Sequence, residues 1–165
     1  MESQTCQAAQ YLTFRLDREQ FAVDIAKVRE VLEFTRVTKV PGTPEFMRGV
    51  INLRGNVVPV VDMRLKLGLP QTERTVDTCV IITEVVVDGE RVVLGALVDS
   101  VQEVLDLDGG QIAAPPHIGQ RIDESAVHGM GKRGDEFVII LDIDKVFPSG
   151  DLKEMREQGR ATAAG

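Results

Sequence analysis

The chain has 165 residues, of which 43% are hydrophobic, 27% charged and 4% aromatic, a composition typical of a folded globular protein. Its formal net charge of −7 argues against a nucleic-acid partner, because phosphate binding needs a basic surface. The longest apolar run, Val92 to Val98, is too short to span a bilayer, and the first residues do not resemble a secretory signal. We therefore expect a cytoplasmic protein without direct membrane insertion.

Short apolar runs between Gly, Asp and Asn turns predict a β-rich protein. Val and Ile together supply 33 of the 165 residues, and their branched side chains favour strands. Residues 11–16 and 21–23 form a predicted hairpin around a turn at 17–20. Residues 50–54 and 57–61 form a second hairpin, in which Gly55-Asn56 suits a type II′ turn.

Few helices are predicted, and all are short. Asp24 is a candidate N-cap for a helix over residues 25–32, with Ile25, Val28 and Leu32 on one face. Thr43-Pro44 starts a single helical turn, which Gly49 ends. The segment 148–165 is predicted to hold a short C-terminal helix followed by a disordered tail.

The most informative feature is an internal repeat. Three blocks of the first half recur in the same order in the second half, with offsets of 71 to 80 residues. We infer two related β-units, residues 10–70 and 77–147, which pack together because units of about 65 residues are marginally stable alone. A groove between two such units is a favourable binding site. The matched blocks are residues 17–20 and 88–91, 28–33 and 101–106, and 54–62 and 133–142.

One glycine-rich segment resembles a nucleotide-binding loop but lacks the expected flanking structure. Residues 129–134 match the G-x-G-x-x-G pattern of dinucleotide-binding loops, but such a loop follows a strand and opens a helix. The β-like residues 137–141 come next in this chain, so we predict a flexible hairpin loop instead.

The sequence also gives little support for a metal site or a catalytic nucleophile. Neither His117 nor His128 has a partner at metal-ligand spacing, and the carboxylates of 106–108 and 142–144 lack the other residues of a calcium loop. These carboxylates are therefore interpreted as solvated strand ends. Ser, Cys and Lys residues stand in no recognisable nucleophile setting. We expect no catalytic residue, no metal and no cofactor, and hence no enzyme.

Two charged residues lie within apolar surroundings, Glu30 and Arg54. If the two units fold as inferred, these side chains approach each other. One interpretation is a partly exposed structural ion pair worth at most about 1 kcal/mol. The other is that one or both face a partner, because Arg in a semi-apolar setting is a common interface anchor.

Three segments resemble the CheW family of bacterial chemotaxis coupling proteins. They are residues 24–30, the run Gly49-Val50-Ile51-Asn52-Leu53-Arg54-Gly55, and Val58-Pro59-Val60-Val61-Asp62, and residues 95–101 also fit the pattern. The resemblance covers about residues 11–147. It implies an all-β fold with short helices, in which two tandem SH3-like five-stranded barrels pack together, and a single CheW-like domain over the whole chain.

The resemblance also implies a function. Members of the family are adaptors that join the cytoplasmic tips of transmembrane chemoreceptors to the regulatory domain of the histidine kinase CheA, without catalytic activity. They meet other CheW-like molecules in receptor arrays at the membrane, and the receptor tip lies along the groove between barrels. Carried over residue by residue, the surface for receptor or kinase comprises Val28, Glu30, Gly49, Asn52, Arg54, Val101 and Val104.

Alternatives remain open at this point. Val101 and Val104 could be core residues rather than contacts, and Gly49 could serve only to end a helix. A same-fold adaptor of a non-motility chemosensory pathway fits the sequence equally well. A small-ligand-binding or catalytic β-barrel protein that uses the same groove is a more remote alternative.

Overall fold

The computed structural model describes residues 9–34, 37–71, 73–87, 89–107, 112–113, 126–133 and 135–146. These residues form mostly β-strands, as the sequence predicted. A 3-10 helix covers Ile25–Lys27, and two four-residue helices cover Met63–Lys66 (α1) and Ile143–Val146 (α2). The strands are β1 (Ala9–Leu16), β2 (Glu19–Asp24), β3 (Val28–Glu33), β4 (Met47–Leu53), β5 (Asn56–Asp62), β6 (Cys79–Val87), β7 (Glu90–Val98), β8 (Ser100–Leu107), β9 (Ile112–Ala113), β10 (Val127–Arg133) and β11 (Glu136–Leu141).

The strands form two sheets. One has five strands in the order β3-β6-β7-β5-β4, and the other has six in the order β8-β1-β2-β11-β10-β9, where β9 is only two residues long. Neighbours are antiparallel except for two parallel pairs, β5 with β7 and β2 with β11. This arrangement corresponds to two SH3-like barrels, which confirms the predicted fold class. No helix within the described ranges is long and apolar enough to cross a membrane.

Each barrel takes strands from both halves of the chain. The hairpin β1-β2 joins the later strands β8 to β11, and the hairpin β6-β7 joins the earlier strands β3, β4 and β5. The predicted contiguous units, residues 10–70 and 77–147, therefore do not coincide with the barrels. The repeat itself is real, because β1 to β5 occupy the same places in the sheet order as β6, β7, β8, β10 and β11. The halves have exchanged their first hairpins.

The predicted helix over residues 25–32 was wrong. Asp24 does act as a cap, since its Oδ1 accepts a hydrogen bond from the amide of Ala26 at 2.9 Å, but the helical segment ends at Lys27. Residues 28–33 form β3, which pairs with β6 through a register shift between Val28 and Glu30. Apolar residues at i, i+3 and i+4 also fit a strand with a bulge, and β-branched valines favour the strand.

Residues 129–133 form part of β10 and are not the flexible loop that was predicted. A Cβ atom at Gly129 would lie 2.6 Å from Ile112 Cγ2 and 2.8 Å from the Ala113 carbonyl oxygen. Glycine therefore allows β9 to approach β10 closely. A strand follows this segment, so it lacks the helix of a dinucleotide site. The predicted C-terminal helix and tail, residues 148–165, lie outside the described residues.

The largest apolar cluster lies between the barrels, and smaller clusters fill each barrel. In the largest cluster the rings of Phe14 and Phe21 stack with their centroids 5.9 Å apart, and Met63 and Leu94 are fully buried. Ile82 and Leu97 belong to the interior of the five-stranded barrel. The apolar surface that the two barrels bury against each other therefore contributes to the stability of both.

Two ion pairs, which we call the junction ion pairs, stand at the connections between barrels. Arg64 of α1 binds Asp99 through Nε at 2.8 Å, and Asp99 also accepts the amide of Asp17 at 2.8 Å. Lys27 Nζ lies 2.7 Å from Asp144 Oδ2 in α2, and Asp144 Oδ1 accepts the amide of Val86 at 2.9 Å. Each carboxylate therefore connects elements of both barrels.

Two equivalent aspartates, Asp62 and Asp142, cap the two short helices, as the repeat implies. Asp62 accepts from the amide of Arg64 at 3.0 Å, and Asp142 accepts from the amide of Asp144 at 3.2 Å. Asp142 and Asp144 are thus a helix cap and a junction residue, not the solvated strand ends that were predicted. Asp62 is fully buried and pairs with Arg48 at 3.2 Å.

Candidate functional site

The first part of the candidate site lies where the edge strands β3 and β8 border the core between the barrels. Directly opposite residues of paired strands point to the same face of a sheet. Val31 lies opposite Ile81, a residue of the core between the barrels, and Val104 lies opposite Leu12 of the same core. The two valines are 40% and 45% exposed, so both leave apolar surface uncovered at the edge of this core.

Val28 and Val101 lie on the same faces but are half-buried against the core. Cys79, the first residue of β6, joins the two edges, because its thiol interacts with the backbone of Val101 and with the Asp77 carbonyl oxygen at 3.2 Å. Burial raises the pKa of the Cys79 thiol above its ordinary value. We call the five residues that share this apolar border the inter-barrel rim: Val28, Val31, Cys79, Val101 and Val104.

Three of the rim residues, Val28, Val101 and Val104, were predicted from the sequence, whereas Val31 and Cys79 were not. Val31 was not among the residues carried over from the family resemblance. The repeat contained the missing signal, since Val31 is equivalent to Val104 in blocks 28–33 and 101–106. No comparable sequence signal singles out Cys79, which is a free thiol in the structure.

The second part of the candidate site is an ion pair at the end of the five-stranded barrel. As predicted, Glu30 and Arg54 meet, with Arg54 Nη2 bonded to Glu30 Oε2. They connect β3, the first strand of the sheet, with the turn that follows β4, its last strand. A backbone bridge between Thr38 and Val50 links the same two sides. The ion pair therefore contributes to closing the sheet into a barrel.

The turn that carries Arg54 differs from the prediction. The turn residues are Arg54 and Gly55, with φ angles of +50° and +88°, as in a type I′ turn, and Leu53 pairs with Asn56 across it. The expected type II′ turn at Gly55-Asn56 was therefore wrong by one position. Asn52 stabilises the turn, because its Oδ1 accepts the Gly55 amide at 2.8 Å. A left-handed conformation is uncommon for Arg. The turn holds the Arg54 backbone in this conformation and so sets the direction of its side chain.

The electrostatics of the pair favour the charged forms. The hydrogen bond from Arg54 lowers the pKa of the Glu30 carboxyl below its ordinary value, and the same contact raises the pKa of Arg54. The Arg54 side chain is 70% exposed, whereas that of Glu30 is 28% exposed. A guanidinium so open to solvent can keep its contact with Glu30 and still offer donors to a partner.

Gly49 belongs to neither part. It lies buried within β4 beside a register shift, with a φ of +146°, and does not end a helix. A Cβ atom there would lie 2.2 Å from the Thr38 carbonyl oxygen. Glycine is thus required for the close approach of the segment before β4, and its role in the structure is to let the barrel close.

The predicted site residues therefore separate into three groups. Val28, Val101 and Val104 lie on the inter-barrel rim, Glu30, Asn52 and Arg54 lie at the barrel end, and Gly49 is buried. Within the described part of the chain, no group of three or more His, Cys, Asp and Glu residues is arranged to hold a metal ion. The exposed valines of the inter-barrel rim and the exposed arginine at the barrel end are two separate places suited to contact with another macromolecule.

Comparison with known proteins identifies the family. The profile of the CheW-like domain matches residues 10–151. The chain belongs to the CheW family. The chemotaxis protein CheW of Klebsiella aerogenes is 35% identical over 143 residues, which cover 87% of this chain and 84% of that protein. The chemotaxis protein CheW of Rhizobium meliloti is 34% identical over 138 residues, which cover 84% of this chain and 86% of that protein.

A solved structure extends the similarity to the fold. The scaffolding protein TtCheW of Thermoanaerobacter tengcongensis superposes with a TM-score of 0.77 and 35% sequence identity, covering 90% of this chain and 97% of that chain. The resemblance to the CheW family is confirmed, and the chain is a member of a family of chemotaxis scaffold proteins.

Proposed function

We propose that this chain is a non-enzymatic adaptor that couples the cytoplasmic tips of transmembrane chemoreceptors to the regulatory domain of the histidine kinase CheA. Membership of the CheW family supports this role in general terms. The observation that links it to particular residues is the inter-barrel rim, where Val31 and Val104 are exposed although they border the largest apolar cluster in the described part of the chain. Exposed apolar surface at the edge of a core is typical of a docking site.

The inter-barrel rim is proposed to bind the helical receptor tip. A helix docks in a groove through apolar side chains spaced one turn apart. The rim offers matching apolar surface from two strands, with Val31 on β3 and Val104 on β8 at equivalent positions of the repeat. Its half-buried members, Val28, Cys79 and Val101, form the floor between them.

The barrel end is proposed to meet the kinase or another CheW-like molecule. Arg54 offers an exposed guanidinium, and Asn52 lies beside it on the same turn. Arginine is enriched at interface centres because its planar group makes several directed hydrogen bonds. With receptor and kinase on different parts of one molecule, the adaptor sits between them and is recruited to receptor arrays at the membrane.

Each contact surface is small and lacks large aromatic side chains, so we expect modest affinity for any one partner. Aromatic residues make up 4% of the chain, and aromatic anchors supply much of the energy at strong interfaces. Stable complexes then depend on several contacts formed together.

Co-sedimentation tests this proposal. The purified chain is mixed with membranes that contain a cognate chemoreceptor, with purified CheA, or with both. We expect binding to each partner and a larger bound fraction of chain and kinase when all three are present. Absence of binding to both individual partners would contradict the proposal. Membranes without receptor serve as the control.

A further inference from the structure

A cleft of about 850 Å³ lies on the five-stranded barrel, away from the residues proposed to bind receptor and kinase. Residues 37–48 supply most of its lining, and Leu65 of α1, Gln71 and Arg74 supply the rest together with Phe34. This volume lies in the range of known ligand pockets and exceeds the needs of a single small ion.

The charge of the cleft is opposite to that of the chain. Three cationic side chains line it, Lys39, Arg48 and Arg74, against one carboxylate, Glu45. The whole chain, in contrast, has a formal charge of −7. Such a local excess of positive charge within a concave surface attracts anions, because a cleft concentrates the field of its charges.

The three cations differ in their present contacts. Arg48 pairs with the fully buried Asp62 at 3.2 Å, so it has a structural role already. Arg74 stacks on the ring of Phe34 at 5.0 Å and donates to the Phe34 carbonyl oxygen at 3.4 Å, which fixes its guanidinium over the cleft. Lys39 is exposed, and no described carboxylate lies within ion-pair distance of it. Lys39 and Arg74 are therefore the cations best placed to receive a ligand.

The floor of the cleft is apolar. Val40 and Met47 are buried there, and Val37 and Leu65 are half-buried and border the opening. A cationic border over an apolar floor is complementary to a ligand that carries both carboxylates and apolar side chains. A free phosphate or citrate would use the border but not the floor.

We propose that this cleft binds a short acidic segment of a partner protein, in which carboxylates alternate with apolar side chains. The carboxylates pair with Lys39 and Arg74, and the apolar side chains cover Val37 and Leu65. The proposal is independent of the receptor and kinase surfaces, since the cleft contains none of their residues.

Titration of the full chain with a synthetic hexapeptide of alternating Glu and Leu, followed by amide NMR shifts, tests the proposal. We expect saturable shifts at residues 37–48, Leu65 and Arg74. The same peptide with Gln in place of Glu should bind about tenfold more weakly, as should the double variant Lys39→Glu/Arg74→Glu. Lys132→Glu, on the other barrel, is the matched control and should bind as the parent chain does.

Four results would overturn the proposal. The first is equal binding of the Glu and Gln peptides, which would remove the charge argument. The second is the absence of shifts at the cleft up to millimolar peptide. The third is unchanged binding by the double variant. The fourth is displacement of the peptide by citrate with the same affinity and the same shifts, which would mark a site for small anions. None of these outcomes bears on co-sedimentation with receptor and kinase.

Discussion

Two kinds of ion pair in this molecule differ in their surroundings, and the difference separates what holds the barrels together from what is presented to partners. In the junction pair Arg64–Asp99 both side chains are only 18% exposed, and Asp99 also accepts a backbone amide of the other barrel. In the Glu30–Arg54 pair the arginine is largely open to solvent. The same chemistry therefore stabilises the fold in one place and leaves donors available in the other.

The two junction ion pairs form a second, closer comparison. Arg64 and Asp144 occupy equivalent positions, two residues after the caps Asp62 and Asp142, yet they carry opposite charges. The charges of their partners are also opposite, since Arg64 pairs with the anionic Asp99 and Asp144 pairs with the cationic Lys27. Both halves of the repeat thus have an ion pair at the residue two positions after the cap, with the charges reversed.

The junction pairs carry the largest effect that we predict. Arg64→Ala should lower the free energy of unfolding by about 1–2 kcal/mol, because it leaves the half-buried Asp99 without its cation. Lys27→Ala should cost less than about 1 kcal/mol, since that pair is more exposed and a single Lys amine replaces a guanidinium that binds through two nitrogens. Urea unfolding of both variants measures the difference.

The double variant Arg64→Ala/Asp99→Ala controls for the loss of other contacts. If it were as stable as either single variant, the coupling between the two side chains would be established. Equal stabilities for Arg64→Ala and Lys27→Ala would contradict the ranking of the two junctions.

A smaller effect is expected at the barrel end. Because Arg54 lowers the pKa of Glu30 in the folded chain, the pair contributes stability above the ordinary pKa of Glu, and that contribution is lost as the pH falls through the folded value. Carboxyl carbon shifts of Glu30 followed by NMR should titrate below the usual Glu range. Arg54→Ala should return the pKa of Glu30 toward its ordinary value while the chain stays folded. A titration unchanged by Arg54→Ala would contradict the pairing.

The repeat allowed much of the architecture to be predicted from the sequence. It placed two related sets of strands, and its blocks correspond to equivalent strands and caps, down to Asp62 and Asp142. It could not predict which hairpin joins which barrel. Apolar periodicity describes the faces of a strand but not its neighbours, so the exchange of β1-β2 and β6-β7 left no local signal.

The candidate site was predicted only in part, because the sequence signals come from neighbouring residues along the chain. The charges of Glu30 and Arg54 stood out in apolar runs, so their contact could be predicted. The segment 28–33 has apolar spacings that suit both a helix and a bulged strand, so periodicity alone could not identify the strand. Gly49 looked like a helix end, because only the fold reveals the carbonyl of Thr38 beside it.

The most direct test of the central claim uses the double variant Val31→Asp/Val104→Asp in co-sedimentation with receptor-containing membranes and CheA. The account predicts about tenfold weaker receptor binding with little change in urea unfolding, because both side chains are already exposed. Phe137→Asp, which changes an exposed apolar residue three strands away from β8, should bind normally. Receptor binding by the double variant equal to that of the parent chain would contradict the account.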